Sequence, residues 1–209
     1  MTAPATNPLV DDRDVELILD EVLDVGRLLT LPHFAEHDRE TCQMLIAAAR
    51  DLARDVLFPA YRALDAEPPR LVDGRVLVHP RMRELYARMT DLGVVAAPRS
   101  HEVGGAQLPL AVLSLAAAYL MAANLSAYGY VGLTQGAAHL LEAFGNDELR
   151  ASYMARMYRS ELEEDAVIRD FRITAGDDKT YETKHYNLSA IIAVGGGAAK
   201  STPRKDKKQ

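Results

Sequence analysis

The sequence predicts a mainly α-helical protein, an up-down set of helices with a small β-hairpin-containing C-terminal tail. Three observations carry that prediction. Apolar residues recur at offsets of three and four along most of residues 12–158. The stretch from Val103 to Leu141 contains no Asp, Glu, Lys or Arg, the composition of helices buried nearly all round. After about Tyr158 the helical period gives way to alternating polar and apolar residues around a Gly-Asp-Asp turn.

Composition narrows the function classes. The 209 residues suit one ordinary domain plus an appendage, and 48% hydrophobic with 26% charged residues describes a globular chain. A net charge of −6 argues against nucleic acid as a partner through bulk electrostatics. Cys42 is the lone cysteine, which excludes an internal disulfide and a cysteine-based zinc site. The start MTAPATNPLVDDRD has neither a basic region nor an apolar run, so no secretory signal is read there and a cytoplasmic protein is expected. With four Phe and no Trp, the core must be built from Ala, Leu, Val and Met.

Residues 1–11 read as a flexible arm. Asp11 or Asp12 can cap a first helix running to about Leu29, with Val15, Ile18, Leu19, Val22 and Val25 as its apolar stripe. Leu31-Pro32 stops it, because proline cannot continue the backbone ladder. A second helix spans about Glu36 to Leu64, faced by Leu45, Ile46, Ala49, Leu52, Ala53 and Val56, and Pro59 should kink it. A short hairpin around Asp73-Gly74 then leads to a third helix, roughly Pro80 to Leu92, with Met82, Leu85, Tyr86 and Met89 inward and Gly93 as its C-cap.

Pro109 opens the apolar stretch at a helix start, where its missing N–H costs nothing. Leu110, Leu113, Ala117, Leu120 and Met121 come after it at helical spacing, and Asn124 and Ser126 can end this helix and cap the next. A membrane hairpin is disfavoured, since Leu108 to Ala123 is shorter than the ~20 apolar residues a span needs. The next helix carries Gly129, Gly132 and Gly136 on one face. Three absent side chains leave a groove, to be filled by a closely packed helix or by something slender. A last helix begins at Asn146, with Asp147 and Glu148 in its first turn and Leu149, Tyr153, Met154 and Met157 along it.

Motifs for chemistry are absent. His33 and His37 lack the glutamate that succeeds the first histidine of a zinc-protease motif, so no metal ligand set is assigned. Gly195 to Thr202 has Ala199 and Val194 where a phosphate-binding loop needs glycines. The basic end (Lys200, Arg204, Lys205, Lys207, Lys208) reads as a solvated tail. His139 has Glu142 as its one nearby carboxylate, and a helical histidine is the expected reading over a general base. No catalytic residue is assigned.

Three segments, in order, resemble the N-terminal helical domain of the acyl-CoA dehydrogenase family. LARDVLFPAYRALD matches its helix with Pro59 and Asp65; DLGVVAAPRSHEVGGAQLP matches its Leu-Gly turn, Pro98, Glu102 and paired Gly104 and Gly105; LLEAFGNDELRASYMARMY matches its Phe-Gly turn and the helix after it. Arg99-Ser100-His101 departs from a more acidic run, which reads as loop variation. The resemblance covers about residues 12–158. It implies flavin-dependent α,β-dehydrogenation of an acyl-CoA thioester, with FAD held mainly between two further domains and this one forming the wall around the acyl chain. It also implies that Gly129, Gly132, Leu133 and Gly136 line that chain. The flavin-domain signature and the catalytic carboxylate have no counterpart, so a truncated form unable to turn over alone is expected, with FAD binding by this chain doubtful. Residues 163–195 resemble a segment of the RhuM-type virulence-protein family, which makes 159–209 an unrelated, truncated and partly disordered tail. Acyl-CoA is the expected partner, with self-association through exposed apolar helix faces as the alternative.

Overall fold

A computed structural model describes residues 9–72, 75–159, 168–174 and 180–186. Helices dominate, with two small antiparallel hairpins beside them. Helix α1 (Asp12–Leu17) starts at Asp11, whose carboxylate accepts the Arg13 N–H at 2.8 Å. A π turn, Ile18–Val22, comes next. Asp24 then adopts the left-handed region (φ 45°) and caps α2 (Val25–Leu28) through the Arg27 N–H. The single helix expected here is therefore divided. Val15, Leu19 and Val25 are buried while Ile18 and Val22 are exposed, against the expected stripe, and the wide turn takes the residues after Ile18 off the regular helical count.

Helix α3 (Arg39–Leu52) begins at Asp38, which accepts the Thr41 N–H at 2.7 Å, two residues later than the sequence suggests. It continues through a π turn, Ala53–Leu57, into α4 (Phe58–Ala66). The effect expected of Pro59 takes the form of that widened turn. The Phe58 N–H reaches five residues back, to the Ala53 carbonyl, in place of four. Cys42, Ile46, Ala49, Ala53, Leu57, Ala60 and Leu64 are buried along this rod, and Leu45, Leu52 and Val56 pack at its edge.

Strands β1 (Arg70–Val72) and β2 (Arg75–Leu77) pair antiparallel, Leu71 opposite Val76, as expected for the hairpin. Helix α5 (Arg81–Asp91) buries Met82, Leu85, Tyr86 and Met89, and Gly93 at φ 80° ends it.

The central element is α6 (Leu110–Phe144), bent at Asn124, whose backbone is extended (φ −162°, ψ 85°). The Asn124 side-chain oxygen accepts the Ala127 N–H at 3.0 Å, and its amide donates to the Leu57 carbonyl at 3.2 Å. Two helices joined at a capping asparagine are thus present, as the sequence suggests, but they run on without a loop. Their combined length makes α6 long and apolar enough to cross a membrane, which the shorter segments considered separately were not. More than half of its most apolar window, 56%, is buried inside the molecule, the pattern of a core helix. α6 packs on α3, on the Ala53–Leu57 turn and on α4 and α5. One stripe stays open, so Leu110 and Met121 are exposed, not inward as their spacing suggested.

Helix α7 (Asp147–Tyr158) starts at Asn146, which accepts the Leu149 N–H at 2.9 Å, and buries Met154 and Met157; Leu149 itself is exposed. Strands β3 (Ile168–Thr174) and β4 (Thr180–Tyr186) form the expected antiparallel hairpin, registered from Ile168–Tyr186 to Thr174–Thr180. The first eight residues of the arm, the Asp73-Gly74 and Gly-Asp-Asp turns, the glycine run and the basic end lie outside the described residues.

Candidate functional site

The C-terminal arm of α6 has two unlike faces, set by helical geometry. Inward are Ala127, Tyr130, Val131, Thr134, Ala138 and Leu141, all buried. The Thr134 hydroxyl donates to the Tyr130 carbonyl at 2.9 Å and lies 3.2 Å from the Tyr86 hydroxyl of α5. Gln135 anchors the flank, donating to the Val94 carbonyl at 2.9 Å and accepting from the Tyr128 hydroxyl at 3.2 Å. These polar contacts fix the rotation of the helix about its axis, because a buried hydroxyl without a partner would be costly.

The outward face is then determined. It carries Leu125, Gly129, Gly132, Leu133, Gly136, Leu140 and Phe144, none of them charged. A Cβ on Gly129 or Gly136 would meet nothing within 4 Å, and one on Gly132 would touch only the ring of Tyr128, at 3.4 Å. No other described element packs against Gly129 or Gly136. Around this notch, Leu125, Leu140 and Phe144 are 65%, 57% and 82% exposed, and Leu133 stands beside them at 42%. The surface offers shape and mostly apolar area, with the exposed His139 ring at its edge. It suits a slender apolar ligand.

A second cluster joins the loop before α6 to the end of that helix. Arg99 Nη1 donates to Glu142 Oε2 at 2.9 Å and to His139 Nδ1 at 2.5 Å, and Glu142 Oε1 accepts the Ser100 N–H at 2.8 Å. Burial pushes the Glu142 carboxyl up, but the Ser100 hydrogen bonds and the Arg99 charge outweigh it and leave it below the usual range. The sequence offered Glu142 as the neighbour of His139; the arginine 40 residues earlier is the closer partner. Arg99 was legible only as loop variation, and no local pattern marks it.

The other candidates separate. His33 lies edge-on to the Phe34 ring, with centroids 4.8 Å apart, whereas His37 bonds to the Ala106 carbonyl at 2.6 Å. Among the described residues no three His, Cys, Asp or Glu side chains gather as a metal site. Cys42 is buried, and that burial pushes its thiol up, away from the reactive thiolate. The stretch Gly195–Thr202 lies outside the described residues.

Fold and site together define a helical domain that presents an uncharged, glycine-notched face beside a bent core helix. The family model for the acyl-CoA dehydrogenase N-terminal domain matches residues 39–161. The chain belongs to the acyl-CoA dehydrogenase family. That match takes in α3 to α7 and stops before β3. A search of curated proteins returns no match.

Proposed function

We propose that this domain serves flavin-dependent α,β-dehydrogenation of acyl-CoA thioesters by forming one wall of the acyl-chain site. The observation that carries the reading is the open notch at Gly129, Gly132 and Gly136, with Leu133 beside it, on a face whose rotation is fixed by Thr134 and Gln135. An alkyl chain laid there gains the hydrophobic burial that Leu125, Leu133 and Leu140 now lack. FAD supplies the hydride chemistry in such a reaction. From Leu125 to Phe144 the helix has no Lys or Arg to meet its diphosphate. The domain's own work is therefore binding and orienting the substrate and excluding water. A cytoplasmic setting fits this work, and we assign residues 12–158 to it, with 159–209 as a separate tail.

The test is equilibrium binding of free CoA and of acyl-CoAs of increasing length to the full chain. Affinity should rise with each added methylene until the notch is full, by about 0.8 kcal/mol per buried group. Equal affinity for CoA and long acyl-CoA would overturn the proposal. A second reading is favoured by the exposure of Phe144, 82%, and Leu125, 65%: the same face could bury itself against another copy of the chain. A mass that doubles with concentration and is indifferent to acyl-CoA would select it.

A further inference from the structure

The loop of residues 98–108, which leads into α6, is held by contacts rather than by its own backbone preference. Gln107 sits in the left-handed region at φ 52°, a conformation that a non-glycine residue keeps only while its surroundings hold it. Its N–H donates to the Arg99 carbonyl at 2.8 Å and its side-chain amide to the His33 carbonyl at 2.6 Å. The other ties of this loop run through imidazoles, and histidine is the side chain that changes charge between about pH 5 and 8.

Two of those imidazoles need opposite protonation states. Arginine has only donors, so the contact of Arg99 Nη1 with His139 Nδ1 at 2.5 Å requires that nitrogen to be bare. A protonated His139 cannot accept it. Its new N–H faces the guanidinium, and the acceptor left to it is Glu142 Oε2, 3.9 Å away, which Arg99 already holds. His33 lines the same cleft as His139, so a second imidazolium there adds repulsion. His101 is the reverse case. Its Nδ1 lies 3.1 Å from the Gly105 carbonyl and its Nε2 3.3 Å from Glu36 Oε2. Both partners are acceptors. A neutral ring carries one N–H and serves only one of them, whereas imidazolium serves both. Glu102 follows His101 in the same turn and adds negative charge there. His37 donates from Nε2 to the Ala106 carbonyl at 2.6 Å and can do so in either state. From α7, Arg150 donates to the Glu142 carbonyl at 2.8 Å and the Tyr158 ring lies beside Gly104.

We propose that this loop is a pH-sensitive catch: with neutral histidines His139 ties Arg99 to α6, and in acid that tie opens while His101 closes on Glu36. Opening frees the Arg99 end of the loop, one wall of the cleft it forms with the Pro32–Phe34 turn and α6. His139 also stands at the edge of the glycine-notched face, but the catch does not depend on what that face binds.

The experiment is NMR on the full chain between pH 8 and pH 5, at constant ionic strength. Hydrogen exchange of the Arg99 guanidinium is measured against that of the exposed Arg13, which cancels the intrinsic effect of pH. Arg99 should lose protection relative to Arg13 by about fivefold on going to pH 5, the worth of one such hydrogen bond. Cross-peaks between the His101 ring and the Glu36 side chain should strengthen over the same range. His139→Gln gives Arg99 an acceptor at every pH, so its protection should then hold at pH 5. The His139 side chain is 69% exposed, so this variant should melt like the parent. Arg99 protection unchanged in the parent, the same loss in His139→Gln, or His101–Glu36 cross-peaks that do not strengthen would each overturn the proposal. If His139→Gln does not fold, the two readings on the parent decide.

Discussion

Single residues decide how the segments of this chain meet. Asn124 does three things at once: it bends α6, caps the second arm through the Ala127 N–H, and ties the bend to the Leu57 carbonyl. Asn124→Ala should cost roughly 1–3 kcal/mol, since it removes two buried hydrogen bonds to the backbone. Urea unfolding monitored by circular dichroism measures this directly, and a loss under about half of the low end of that range would show that the cap contributes little. The capping role was legible, as it was for Asn146 and Gly93, because a cap is a local motif. Arg99 and Glu142 were not legible as a pair, because 43 residues separate them. Their link has a pH signature. Glu142 is held below its ordinary value in the fold, so its contribution to stability is complete above the unfolded value and is lost as pH falls through the folded one. Glu142→Gln should cost roughly 1–3 kcal/mol at pH 7 by leaving buried Arg99 without its counter-charge. The gap between parent and variant should narrow steadily as unfolding is measured at more acidic pH. A gap that holds constant would assign the effect to packing.

At the scale of elements, periodicity found the helices but not their widened turns. Ile18 and Val22 satisfy the helical spacing and still face outward; for Val22 the π turn has inserted one residue into the count. A π turn is a response to packing around it, and a hydrophobic period cannot encode that. Pro59 was readable as a disruption; whether it would kink the rod or widen one turn was settled by the Phe58-to-Ala53 hydrogen bond. The glycine face was readable as a notch, while the choice between a helix seam and an open surface depended on where α5 and the Val94 carbonyl lie. Two glycines give a paired prediction. Gly136→Ala adds a methyl where nothing lies within 4 Å, and should stabilise the helix by ~1 kcal/mol. Gly105→Ala would drive its Cβ into the Arg99 carbonyl, and should destabilise by at least ~1–3 kcal/mol while disturbing the Arg99 contacts. Thermal melts of both variants give the comparison, and like-signed shifts would contradict this account of the two sites.

For the molecule as a whole, the α-rich class and the change of character after Tyr158 were legible because both are matters of composition and period. The family match covers the helical part from residue 39 and ends at 161, close to that change. Function is less legible, and for a physical reason. The open face of α6 is mostly apolar, with His139 at its edge, so its meaning depends on what lies against it. The most direct measurement is acyl-CoA titration of Gly136→Leu beside Gly136→Ala and the parent, with melts on all three. If the acyl chain lies in the notch, the leucine should fill it. Long-chain affinity should then fall by at least about tenfold, the loss of two or more buried methylenes, while binding of free CoA stays at the parent's value and the melting midpoint does not fall below it. Long-chain binding unchanged in Gly136→Leu would contradict the account and place the acyl chain elsewhere.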